Sequence, residues 1–408
     1  MTVDATGAAT TEVVDVAAIQ KALAEQDLDG WLFYFFHGND PLAPRILKLS
    51  YDHFCSRRWF YFIPRIGSPK KLVHRIEMDA LDRLPGERVV YLGWRELEQN
   101  LALMLAGTNT VAMQYSPRDA VPYISRVDAG TVELVQSCGP KVVSSGDLVQ
   151  LFEARWSPAQ LATHLEAVEA LRKIVFEAFG EIRRCINNQE SVNEYQIQQF
   201  IVSGYARYGM TSNSPPIVAV NSHSGSPHYQ PTRTSYSEIR KGDFVLFDIW
   251  AKKQSPADAI YGDITWTGYV GTEVPDKYKE IFDIVAGARD AGLAFVKDAV
   301  ASGKTIRGAE VDDVSRRFIT ERGYGPQFVH RTGHSIGTEV HANGANIDNL
   351  ETRDERRLIP RTGFSIEPGV YLEEFGVRSE IDVYVGEFEV KVGGEPIQTE
   401  VIPILRNN

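Results

Sequence analysis

The chain has 408 residues, 43% of them hydrophobic and 24% charged, with a formal net charge of −11. This is the composition of a globular protein long enough for two domains of unequal size. The acidic balance argues against a nucleic-acid-binding surface, and the longest aromatic run, WLFYFF at 31–36, is too short to cross a bilayer.

Residues 1 to about 12 are expected to be disordered, and they lack the basic start and apolar core of a secretory signal. Cys55, Cys138 and Cys185 are widely spaced with no C-x-x-C pair, which fits a reducing compartment and a cytoplasmic protein. From VAAIQKALAEQDLDGWLFYFF onward helix alternates with strand, and WLFYFF reads as a buried strand. RRWFYFIP, KLVHRI, RVVYLGW and NTVAMQY read as strands between helical or turn segments such as ELEQNLALMLAG. The alternation predicts an α/β domain over residues 1–155.

The second domain, 156–408, opens on a long amphipathic helix. Ser157 and Gln160 form its capping box, and Pro158 takes the first helical position. A second capping box, Ser191 with Glu194, is expected to start the next helix. A β-rich stretch at 215–270 follows, then helices at about 275–301 and 308–322, then β-rich sequence from 327 to 405. Helix–helix–strands thus occurs twice, which suggests a duplicated architecture. RRLIPR at 356–361 reads as a solvated basic face.

The chemistry is in the acids and histidines of this second domain. HRTGHSIGTEVH, 330–341, holds three of the nine histidines, and its glycines and threonines argue against a helix. KGDFVLFDIW ends an apolar run on Asp248, and YGDITWTGYVG places Asp263 in a second strand-like run. RTGFSIEPGVYL ends on Glu367, and FGVRSEIDVYVG places Glu380 in a strand with Arg378 and Asp382 on its face. A lone acid of this kind caps a turn or pairs with a lysine, and Asp382 and Asp258 keep that reading. Together, Asp248, Asp263, Glu367 and Glu380 offer two pairs of carboxylates, one pair in each half. Four such charges cannot share a buried site without cations. Two divalent metal ions would neutralise them, with His334 completing the ligands.

At VLFD, GDITWT, GHSIG, SIEPGVYL and VRSE, in that order, the chain resembles the pita-bread metallopeptidase family. Methionine aminopeptidase, Xaa-Pro aminopeptidase, prolidase and creatinase belong to it, and the resemblance covers about 156–400. It implies an α+β protein: a C-terminal pita-bread fold, 156–408, behind a smaller N-terminal α/β creatinase-type domain, 1–155. It implies that Asp248 binds one metal through both oxygens, that Asp263 and Glu380 bridge the two, and that His334 and Glu367 complete the other. His228, in SPHYQ, and His341 match the family's substrate-side histidines; Glu367 matches its proton shuttle. Arg378 would pair with a substrate carboxylate or form a salt bridge to Asp382 or Glu380. His330 is expected to be structural or to support a ligand.

The implied activity is that of a prolidase, hydrolysing the Xaa-Pro bond of dipeptides through a metal-bridging hydroxide. The alternatives are a Xaa-Pro aminopeptidase on longer peptides or a related amidohydrolase on a small metabolite. Mn2+ is the expected ion, with Co2+, Zn2+ or Fe2+ able to fill the same site. A small peptide is the expected partner, with no nucleic acid and no membrane, and the resemblance suggests a homodimer. Two features depart from the family: the longer gap between Asp248 and Asp263, expected to bulge as a loop at KKQSPADA, and Trp266 where many relatives have arginine, expected to alter the surroundings of Asp263.

Overall fold

The structure, a computed structural model, describes residues 13–49 and 55–406. The expectation of disorder for residues 1–12 lies outside them. The chain divides into two compact units, Met1–Glu153 and Ala154–Asn408. Among the described residues no helix is long and apolar enough to cross a membrane.

The first unit runs α1 (Val16–Glu25), β1 (Gly30–Phe35), α2 (Leu42–Leu47), β2 (Trp59–Pro64), β3 (Lys70–His74), β4 (Glu87–Tyr91), α3 (Trp94–Met104), β5 (Thr110–Met113), α4 (Ala129–Ser137), β6 (Lys141–Ser144) and α5 (Gly146–Val149). Its strands form one mixed sheet in the order β4-β3-β2-β1-β5-β6. WLFYF, the part of the run inside β1, is apolar because both faces of the strand are covered; Phe36, just beyond it, is exposed. Trp31 and Phe33 pack with α1 and α2, while Leu32 and Tyr34 pack with α3 and α4. The three cysteines are free thiols.

The second unit contains α6 (Pro158–Asn187), α7 (Glu194–Arg207), β7 (Met210–Thr211), β8 (Ile217–Val220), β9 (Phe244–Lys253), β10 (Gly262–Tyr269), α8 (Asp276–Ser302) and α9 (Gly308–Thr320). It continues through β11 (Ser335–Ile336), β12 (Thr362–Ile366), β13 (Gly369–Tyr371), β14 (Gly376–Arg378), β15 (Ile381–Val385), β16 (Val390–Val392) and β17 (Ile402–Pro403). One sheet has the order β17-β10-β9-β7 with β8 also on β9, a second has β11-β12-β15-β16, and β13 pairs with β14.

The two-residue period of the strands explains why this unit can bury acids. In β9, Val245, Phe247, Ile249 and Ala251 pack against α6 and α7, as do Ile264 and Trp266 of β10. In β12 and β15, Phe364, Ile366, Ile381 and Val383 pack against α8 and α9. The intervening residues point to the opposite faces, away from the helices. Those are Asp248, Asp263, Ser365 and Asp382, with Glu367 and Glu380 just beyond the paired ends of β12 and β15.

Several expectations need correction. Asp248 lies in the middle of β9, which continues to Lys253, because Lys252 and Lys253 pair with β7; only the later part of the insertion is a loop. Trp266 faces α6, where its ring meets Phe176 at 5.1 Å, on the side of the sheet away from Asp263. The first capping box forms as expected. The second is Asn193 with Gln196 instead of Ser191 with Glu194, because the Glu194 carboxylate is turned inward to hold another segment. Arg356 is not on a solvated face. It is 7% exposed, pairs with the buried Asp354 at 2.6 Å and donates to the Asn343 carbonyl at 2.8 Å.

Candidate metal centre

Pairing register sets the donor geometry. In the β9–β10 ladder Asp248 stands opposite Thr265 and Asp263 opposite Trp250, so the two aspartates are diagonal neighbours on one face. In the β12–β15 ladder Ser365 stands opposite Asp382, and the next step along brings Glu367 level with Glu380. Two hydrogen bonds join the sheets through this layer. The Asp263 backbone N–H donates to Asp382 Oδ2 at 2.8 Å, and Thr265 Oγ1 donates to Glu380 Oε2 at 2.7 Å.

His334 arrives from the strand beside β12. Its N–H donates to Ser365 Oγ at 3.0 Å, and Ser365 Oγ donates in turn to Glu367 Oε1 at 3.0 Å. The approach needs Gly333, where a Cβ would stand 1.9 Å from the Ser365 carbonyl oxygen. Gly333→Ala is therefore expected to cost about 1–3 kcal/mol of stability and to lower metal affinity, measured by urea unfolding beside metal titration; an unchanged variant would show that the backbone gives way easily here.

The His334 ring is neutral, since burial first and His341 second push its pKa well down. Nδ1 lies 3.2 Å from the Ser335 carbonyl, which can only accept, so Nδ1 carries the proton. Nε2 is then a bare lone pair, yet it faces Asp263 Oδ2 at 3.5 Å and Glu367 Oε1 at 3.4 Å. Three acceptors pointed at one another are tolerable only with a cation or shared protons between them. Asp263, His334 and Glu380 each bring a ligand atom within 4.8 Å of the others, all three residues are buried, and Asp263 Oδ1 is buried without a hydrogen-bond partner. Burial pushes the carboxyl of Asp263 well up, and the neighbouring Glu380 and Asp248 push it further. Glu380 is raised by burial and by Glu367 and Asp248, and Glu367 to about 7 by burial, against the pull of Arg378. A carboxylate-rich set with one imidazole suits hard or borderline divalent ions, so these residues fit a metal.

The guanidinium of Arg378 is 3% exposed and pairs with Asp248 Oδ2, not with Asp382 or Glu380. Arg378 also donates to Thr265 Oγ1 at 3.1 Å and to the Tyr371 hydroxyl at 2.9 Å. Tyr371 donates onward to His330 Nε2 at 2.7 Å, whose Nδ1–H reaches the Arg331 carbonyl at 2.6 Å. His330 is thus the end of a hydrogen-bonded chain that orients Arg378, held neutral by burial with a pKa near 3. Asp382 does not cap a turn or meet a lysine: it is 1% exposed, holds the Asp263 backbone and lies 3.8 Å from His164 Nε2.

The donors lie in a cleft of about 750 Å³. His228 and His341 line it, the His341 ring 4.2 Å from that of His334, and burial lowers the His341 pKa to about 4. Ile217, Trp250 and Val340 form an apolar wall, and Arg331 and Glu351 also line the cleft. Sequence reasoning missed Tyr371, Thr265 and Ser365. Each lies inside the motifs quoted, on the acid-bearing side of its strand or turn, but only Ser365 bonds the acid beside it in sequence, Glu367; Thr265 bonds Glu380, and Tyr371 bonds Arg378 and His330.

The sequence pattern of metallopeptidase family M24 matches residues 164–387. The chain is 30% identical over 233 residues to a Xaa-Pro dipeptidase of Lactobacillus delbrueckii subsp. lactis, covering 57% of this chain and 56% of that one. It spans about half the length of the curated relatives it matches. Among solved structures, a dipeptidase of Mycobacterium ulcerans superposes with a TM-score of 0.66 at 22% identity, over 96% of this chain and 100% of that one. An X-Pro aminopeptidase of Thermotoga maritima superposes with a TM-score of 0.59 at 22% identity, over 96% and 100% of the two chains.

Proposed function

The chain belongs to metallopeptidase family M24 and has its pita-bread fold, and from that premise we propose that it hydrolyses the Xaa-Pro bond of dipeptides with two divalent metal ions. The observation that carries the reading is the bare Nε2 of His334 facing Asp263 and Glu367, with Glu380 alongside, in a cleft of peptide size. The relative named Xaa-Pro dipeptidase supports the choice of substrate.

In this reading Asp248, Asp263, His334, Glu367 and Glu380 would hold the ions. Bound there, the ions would acidify water at neutral pH and polarise the scissile carbonyl. Glu367, hydrogen-bonded to Ser365 Oγ, holds the proton that leaves water and delivers it to the departing imino nitrogen. His341, neutral, donates an N–H to the carbonyl oxygen as charge develops on it. His228 orients the substrate across the cleft. Arg378 keeps the Asp248 carboxylate in one orientation. Manganese is the proposed ion, because oxygen ligands predominate.

The test is hydrolysis of Ala-Pro and Ala-Pro-Ala by chelated protein reloaded with manganese, beside Glu367→Ala. Cleavage of the dipeptide alone is the expected result, lost by at least roughly a hundredfold in the variant. Preference for the tripeptide would move the assignment to a Xaa-Pro aminopeptidase. Cleavage of neither, with metal bound, would overturn the proline-peptidase reading.

A further inference from the structure

Glu194 is a buried acid of this unit that the metal centre does not use. It is the first residue of α7 and fully buried. Oε1 accepts from the Val220 N–H at 2.8 Å, and Oε2 from the Ser237 N–H at 2.6 Å and the Tyr229 hydroxyl at 2.7 Å. His223 Nδ1 lies 2.9 Å from Oε1. Every one of these donors comes from 220–237, the segment joining β8 to β9. That segment carries Ser226, Pro227 and His228 on the wall of the cleft. Tyr229, next to His228, is fixed twice: by its hydroxyl on Glu194, and by its ring stacked on His223 at 4.1 Å.

A buried carboxylate is costly unless its lone pairs are filled, and here one segment fills them. The energy that satisfies Glu194 is therefore available only when the segment is folded against it. We propose that Glu194 is a positioning residue for His228, acting through Tyr229 and His223 as a clasp that holds the cleft wall in its working conformation. The proposal rests on the substrate-side role given to His228 above. It also accounts for the misplaced capping box: Asn193 and Gln196 close the helix end, which leaves Glu194 to hold the segment.

The test is a double-mutant cycle on manganese-loaded protein with Ala-Pro as substrate, using Tyr229→Phe, His228→Ala and the pair. Tyr229→Phe keeps the stacked ring and removes only the hydroxyl, so it folds even where Glu194→Gln does not. The loss of one charge-assisted hydrogen bond is expected to lower kcat about tenfold with KM and bound manganese little changed, and to lower Tm by a few degrees. Added to His228→Ala, the same change is expected to do nothing more. Hydrogen exchange across 220–237 is expected to accelerate in Tyr229→Phe, and that readout needs no substrate. Equal losses in both backgrounds, or unchanged exchange, would overturn the clasp. A wild-type protein inactive on Ala-Pro would overturn the dipeptidase reading alone, and the exchange data would still decide the clasp.

Discussion

Asp263→Asn is expected to abolish hydrolysis, by roughly a thousandfold or more, since ligand-supporting residues alone typically contribute 10–100-fold. The same variant is expected to be more stable than the parent when both are stripped of metal. The reason is electrostatic. Asp263 is 4% exposed, its Oδ1 has no hydrogen-bond partner, and Glu380 and Asp248 stand beside it. Without a cation the carboxyl must either carry an uncompensated charge or take up a proton that the unfolded chain does not hold at neutral pH; asparagine keeps the shape and avoids both. A gain of about 1–3 kcal/mol for the chelated variant is the expected size. Urea unfolding with and without EDTA measures it, beside metal content. A chelated variant less stable than chelated parent would mean that Asp263 is held by structural hydrogen bonds, and the cluster would lose its claim as a metal site.

The metal-free protein should also lose stability above about pH 6.5. Burial raises Glu367 from 4.5 to about 7, and Asp263, Glu380 and Asp382 are raised as well. A raised acid binds a proton in the folded chain that the unfolded chain has released, so its stabilisation fades as pH rises through the folded value. The buried histidines act oppositely. His164, His330, His334 and His341 are lowered by burial, so their contribution improves as pH rises towards 6.5, the value of an exposed histidine. The two sets offset one another below 6.5. Above it the histidines are neutral in both states and the acids act alone, at up to about 1.4 kcal/mol per pH unit for each proton. In EDTA the Tm should fall as pH rises through the value near 7 to which Glu367 is raised, and manganese should remove the fall by replacing the protons. A Tm in EDTA that rises there would show that the four acids do not share a dry site.

How much of this was readable from the chain itself varies with the physics involved. WLFYF announced a strand covered on both faces because apolar residues at every position leave no polar side. Asp248, Asp263, Glu367 and Glu380 were legible as a set because acids inside apolar runs are rare and these recur at similar spacing in each half. The alternation that sends Phe364 and Ile366 to the helices and Ser365 and Glu367 to the opposite face is a local property, carried by a period of two residues.

What needed the tertiary structure was every decision made between segments far apart in sequence. Glu194 and Ser191 make as good a capping box on paper as Asn193 and Gln196; Glu194 went inward because Val220, Tyr229 and Ser237 donate to it there. Arg378 could have chosen among several acids, and its guanidinium bonds Asp248, 130 residues away, with Glu367 at 3.8 Å. Trp266 was open to either face until α6 covered one of them. Local sequence determined which residues share a face, because the backbone repeat does that by itself. Partners were decided only when the two sheets brought those faces together, because a buried polar group takes whatever donor or acceptor the fold delivers to it.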